Sequence, residues 1–225
     1  GTLAFVFCFL VFFISFLFPV LQMLYWTIIF PKNLFDLNTF QLFSNTIYLV
    51  FLSSIVLVVF SFISNYGNRV TKSKFLNFLT TFSITGYAIP GVILAVAFIT
   101  FIAWFDNTFV KAFEFNSIKK IFIGSIFGLV IVYFIRFYSL AYNGLKTGYE
   151  RINRSIDESS YLLGYSKIKT FLGIHVPYLK NSVFLIGILI TIEVIKELPI
   201  TLILRPFNFE TFATTAYIFA SQDLL

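Results

Sequence analysis

Residues 158–177 read ESSYLLGYSKIKTFLGIHVP. Just upstream, Ser155-Ile156-Asp157-Glu158 has the spacing of a capping box: a serine oxygen accepting from the Glu158 backbone N–H while Glu158 reaches back. Asp157 and Glu158 also suit the positive end of a helix dipole. The spacing predicts a helix of roughly two turns ending at Leu163, with Gly164 as its C-terminal stop. Ser166 then starts a second helix with Ile168, Phe171 and Leu172 on one face, and Pro177 ends it. Two short helices meeting at a glycine predict a compact knuckle, and the small Ser159 and Ser160 leave room for another backbone. On spacing alone, an ordinary amphipathic surface helix–turn–helix is the plainer reading.

What flanks this stretch is apolar. The chain is 59% hydrophobic and 12% charged, with 33 phenylalanines and a mean hydropathy of +0.92; a soluble domain carries about 25% charged residues. Runs near the roughly 20 residues needed to cross a bilayer recur, and they predict an all-α, polytopic membrane bundle. Five spans are expected, at 3–30, 46–64, 78–104, 121–142 and 182–195. Pro90-Gly91 interrupts the third. The loop 143–180 carries the knuckle, and a tail occupies 197–225. Cys8 is the one cysteine, expected as a buried small hydrophobe, so no disulfide framework exists. The net charge of +6 is spread over short loops and is no nucleic-acid signature.

Lysines and arginines set orientation. Loop 65–77 carries Arg69, Lys72 and Lys74, and loop 143–180 carries Lys146, Arg151, Arg154, Lys167, Lys169 and Lys180. Lys32, Lys111, Lys119 and Lys120 fall on the other side, where Asp106 and Glu114 also lie. Nine against four places the knuckle loop in the cytoplasm.

Glu158, the two small residues Ser159 and Ser160, Gly164 after three more, Ile174 after nine more, and Pro177 closing Ile-x-Val-Pro resemble the "EAA" loop of binding-protein-dependent ABC importer permeases. Ser159 and Ser160 stand for the two alanines and Val176 for leucine. The resemblance continues in Ser83–Val92, which is similar to a "GYAxPG" span entry, and in Tyr133–Phe137, similar to the "RF" end of the span before the loop. Lys196–Pro199 followed by Thr201–Ala213 is similar to the "KELPxTLLLRPFxFDTLA" stretch of ferric-iron permeases. It implies a multi-pass subunit of the bacterial cell inner membrane with the type I (MetI-like) importer fold. Glu158, Ser159, Ser160, Gly164, Ile174 and Pro177 would then form the ATPase-coupling loop. The implied partners are a cytoplasmic ABC ATPase dimer that carries ATP and Mg, a periplasmic substrate-binding protein, and the lipid bilayer. The other permease half and one further span are also implied. The chain itself is expected to bind no cofactor and to be no enzyme. Ferric iron is the implied substrate; thiamine, polyamine or phosphonate import are alternatives within the class, and an ion-coupled secondary transporter is the alternative outside it.

Four residues are candidates for the translocation path: Glu193, Lys196, Glu197 and Arg205. Glu193 and Glu197 are four apart and would share a helix face, with Lys196 one turn from Glu193. Ionisable groups at membrane depth usually face a cavity or each other, so a structural Glu–Lys pair competes with a path-lining role. Carboxylates suit hard ferric iron. Arg205 would dock the binding protein or pair with one of these acids. Gly124/Gly128 and Gly91/Ala95 are candidate close helix contacts, and Arg136 is expected to snorkel. His175 stands alone, with no second ligand for a metal. There is no GxxxxGK[ST] phosphate loop and no Ser/His/Asp or Cys/His set, so no catalytic or metal residues are assigned.

Overall fold

The computed structural model describes residues 1–29, 37–71, 73–112 and 124–222, and every regular element among them is a helix. Lys32, Lys72, Glu114, Lys119 and Lys120 lie outside the described residues, as do the side chains of Asp106 and Lys111. The chain divides into two compact units, 1–41 and 42–225.

The first unit is dominated by α1 (Thr2–Ile29), apolar along its whole length with no side chain buried. Phe5, Phe9 and Phe13 form a ladder at helical spacing, with neighbouring rings 6.2 Å apart. Cys8 is exposed on this helix rather than buried. Helix α2 (Leu37–Thr71) begins at the boundary and runs on through the second unit.

Within the second unit α2 stays helical through residues expected to form a basic loop. Their polar groups are taken up by neighbouring helices rather than by water. Asn65 Nδ2 donates to the Ser61 and Tyr142 carbonyls, and Asn68 Nδ2 donates to the Tyr142 and Thr80 hydroxyls. Next comes α3 (Lys74–Ile84), capped by Ser73, which accepts from the Leu76 N–H. It tightens into a 3₁₀ turn over Thr85–Ala88. Pro90, which has no N–H to continue a helix, separates it from α4 (Gly91–Ala112). The two are bent by 116°, so the expected interruption of span 78–104 at Pro90-Gly91 is a sharp break.

Helix α5 (Ile126–Glu150), capped by Ser125, is the core of the unit. Leu129, Val132, Tyr133, Phe137, Ala141 and Leu145 are buried at the three- and four-residue intervals of one helix face. It passes the expected boundary at Tyr142 because the Tyr142, Leu145 and Tyr149 side chains are buried too. Gly144 and Gly148 let α8 (Lys180–Lys196) pack against it. A Cβ on Gly144 would lie 2.7 Å from Ile186, and one on Gly148 would lie 2.7 Å from Ser182 and 2.8 Å from Leu179. Of the expected pair Gly124/Gly128, Gly124 does not act this way: it precedes α5 with φ +66° and nothing within 4 Å of where a Cβ would stand, whereas Gly128 is buried in α5. Gly91 and the buried Ala95 do mark a close approach, because a Cβ on Gly91 would meet Glu197 and Ile200.

Between α5 and α8 lie α6 (Arg154–Leu162) and α7 (Lys167–Tyr178), the latter with a wider π turn over Phe171–His175. Helices α7 and α8 are bent by 67° at Leu179. After α8 come α9 (Pro199–Leu204) and α10 (Phe212–Ser221), where Thr211 and Thr214 form a capping box. Among the described residues, three helices are long and apolar enough to cross a membrane, or up to five if each bent pair is one span.

Candidate functional site

The knuckle exists, but its first cap is not the expected one. Asn153, not Ser155, caps α6, its side chain accepting from the Ser155 N–H at 3.2 Å. Ser155 is therefore already inside the first turn, and Glu158 is exposed, beyond reach of a reciprocal bond. Gly164 has φ +79°, the left-handed stop expected of it, and Ser166 caps α7 by accepting from the Lys169 N–H. Ser160 is buried: its hydroxyl meets Thr170 Oγ1 at 2.9 Å, so its small size admits α7 of the same chain. Ser159 stays exposed.

The expected single apolar face of α7 is divided. Phe171 packs inward on Phe62 and Tyr66, whereas Ile168 and Leu172 are exposed. Leu162 and Leu163, 89% and 77% exposed, extend this open surface across the tip. Ile174 is half-buried on a groove of about 460 Å³ between α6 and α7, and Pro177 is exposed at the start of the last turn rather than ending the helix.

Beneath the tip lies a polar joint. Asp157 Oδ2 accepts from Arg69 Nε at 2.7 Å, and its Oδ1 lies 2.7 Å from His175 Nε2. The Arg69 guanidinium also donates to the carbonyls of Tyr149, Ile152 and Asn153. His175 is fully buried between the rings of Tyr66 and Tyr149. Burial holds its imidazole below the ordinary value of 6.5, against the opposing pull of Asp157. Neutral imidazole carries one N–H, so Nε2 donates to Asp157 and Nδ1 is left without a partner. Tyr66 Oη donates to the Lys167 carbonyl at 2.6 Å. The joint brings the ends of α2 and α5 against both helices of the knuckle.

A second polar cluster lies deep in the bundle. Arg136 is ten residues into α5, about 15 Å along its axis, so it is too deep to snorkel to the end. It pairs with Glu197 at 3.4 Å and donates to the Ile89 carbonyl at the α3–α4 break. Glu197 is buried and also accepts from the Ile200 N–H. It is the C-cap of α8, where the backbone leaves the helix at φ −73°, ψ 109°. Glu193 instead pairs with Lys196 at 2.6 Å. Arg205 pairs with Glu210, not with either of these acids. The four candidates thus divide among three separate ion pairs. Among the described residues, no three His, Cys, Asp or Glu are grouped to hold a metal ion.

The joint and the deep pair each unite residues far apart in sequence. Arg69 and Asp157 are 88 positions apart, and no periodicity links them. The one local signal was an arginine in a loop without acids. No family model matches the chain, and no curated protein matches it.

Proposed function

We propose that this chain is the membrane-spanning permease of an ATP-driven importer with the type I (MetI-like) fold, taking ferric iron from a periplasmic binding protein. A cytoplasmic ATPase dimer docks on the knuckle, closes on ATP, and switches the spans between outward-open and inward-open. ATP hydrolysis belongs to that partner.

The observation that carries this reading is the knuckle itself. Its helix–glycine–helix geometry coincides with the Glu158–Gly164–Ile174–Pro177 spacing. Its tip presents Leu162, Leu163 and Ile168 largely uncovered, an apolar patch rimmed by lysines, which is how a docking surface is built. Sidedness agrees. At the far end of α2, Asn45 donates to the Glu210 carbonyl, and the Phe212 N–H donates to Thr46. From Asn45 to Arg69 is about 36 Å of helix, more than the roughly 30 Å hydrocarbon core. Tail and knuckle therefore lie at opposite ends of the bundle. The iron assignment rests on the 196–213 resemblance, with Glu193, Glu197 and Glu210 as oxygen donors that would have to leave their ion pairs to meet a cation.

Purification of the full-length permease in mild detergent tests the docking. An ATPase subunit should copurify in fixed ratio and be lost from a Leu162→Asp/Leu163→Asp variant that still inserts. A variant that keeps its ATPase would remove the knuckle from the contact.

A further inference from the structure

We propose that Arg69, Asp157 and His175 form the joint that carries displacement of the knuckle into α2. The inference rests on the reading of the chain as an ATP-driven permease and names positioning residues within it. An exposed knuckle can move a span only if something stiff connects them. Asp157 lies in the first turn of α6, one residue before Glu158, and both its oxygens are held, one by α2 through Arg69 and one by α7 through His175. The planar guanidinium fixes direction as well as distance, because its remaining N–H groups are held by three carbonyls where α5 ends. Tyr66, one turn earlier on α2, bonds the Lys167 carbonyl at the start of α7 and meets Tyr161 of α6. The last turns of α2 therefore grip both knuckle helices. His175 adds stiffness, since it is fully buried between two tyrosine rings. A shift of the knuckle must then drag the cytoplasmic end of α2 with it or break a buried ion pair.

The test uses the complete transporter with full-length permease in a Cys8→Ser background. Spin labels are placed singly at Lys169→Cys on the knuckle and at Phe51→Cys on α2; both positions are exposed. Trapping the ATPase with ATP and vanadate should change the spectrum at both. In Arg69→Gln the change at 169 should persist and the change at 51 should vanish. ATP consumed per iron imported should rise about tenfold, a coupling of ordinary allosteric size. Arg69→Lys, which keeps the charge and loses the fork, should not restore the ratio. Tyr66→Phe, which leaves the ion pair intact, should give the same loss to a smaller degree and serves if Arg69→Gln does not accumulate. A wild-type change at 51 in either variant, or changes at both positions declining together with protein level, would overturn the joint. Wild-type protein that shows no response to nucleotide at either label would instead remove the ATP-driven reading, and this inference with it.

Discussion

Gly164 is the residue whose role the sequence made plainest. Its φ of +79° costs a side-chain-bearing residue about 1–2 kcal/mol, and nothing lies within 4 Å of where a Cβ would stand. The penalty is therefore backbone strain, not a clash. Gly164→Asn should be milder than Gly164→Val, because asparagine tolerates the left-handed region; tryptic nicking of the 143–180 segment should rank them in that order. The charged residues were less legible. Which acid would face which base depended on helix breaks invisible to spacing, and Glu197 left its helix to reach Arg136. Removing Glu197 leaves the half-buried Arg136 guanidinium without its carboxylate, a loss of about 1–3 kcal/mol. Glu197→Gln should thus reduce membrane abundance, and Arg136→Met should restore it, as read by quantitative immunoblot. His175 sets a pH dependence. It faces Asp157, Arg69, Tyr66 and Tyr149. A pKa depressed on folding gives stability that is complete above the unfolded value of about 6.5 and is lost as pH falls toward the folded value. Hydrogen-exchange protection of the knuckle, corrected for the intrinsic pH dependence of exchange, should fall as pH drops below about 6.5 and lose that dependence in His175→Gln.

At the scale of elements, the presence of the apolar helices was readable and their ends were not. Helix α2 overran its expected end, and α5 overran its own, because polarity was taken as a sign of water. Asn65, Asn68 and Arg69 are polar, yet their N–H groups donate to helices α5 and α3 and to the knuckle. The capping box at Ser155 failed for a related reason: Asn153, two residues earlier, was an equally good cap and left Asp157 free for Arg69. The close approach of α5 and α8 depends on Gly144 and Gly148, a pair that spacing offered as readily as Gly124 and Gly128. Overfilling such a contact costs about 1–3 kcal/mol. Gly148→Leu should lower the midpoint of thermal unfolding in detergent, and Ser182→Gly should recover part of it.

Across the whole molecule, composition carried the expectation of several helices apolar and long enough to cross a membrane, and the all-helical class went with it. Loops 65–77 and 143–180 were expected on one side because two spans separate them. The Arg69–Asp157 and Tyr66–Lys167 contacts join the same two segments directly. The Pro90-Gly91 interruption marked the α3–α4 break, but composition could not supply the size of the bends, 116° there and 67° between α7 and α8. The account makes one claim about energy: import is driven by ATP at the knuckle. In proteoliposomes holding the complete transporter with the binding protein outside opposite the knuckle, iron uptake should require ATP on the knuckle side. It should persist when ionophores collapse every ion gradient. Uptake that continues without ATP and stops with the ionophores would contradict the account and make the chain a secondary transporter.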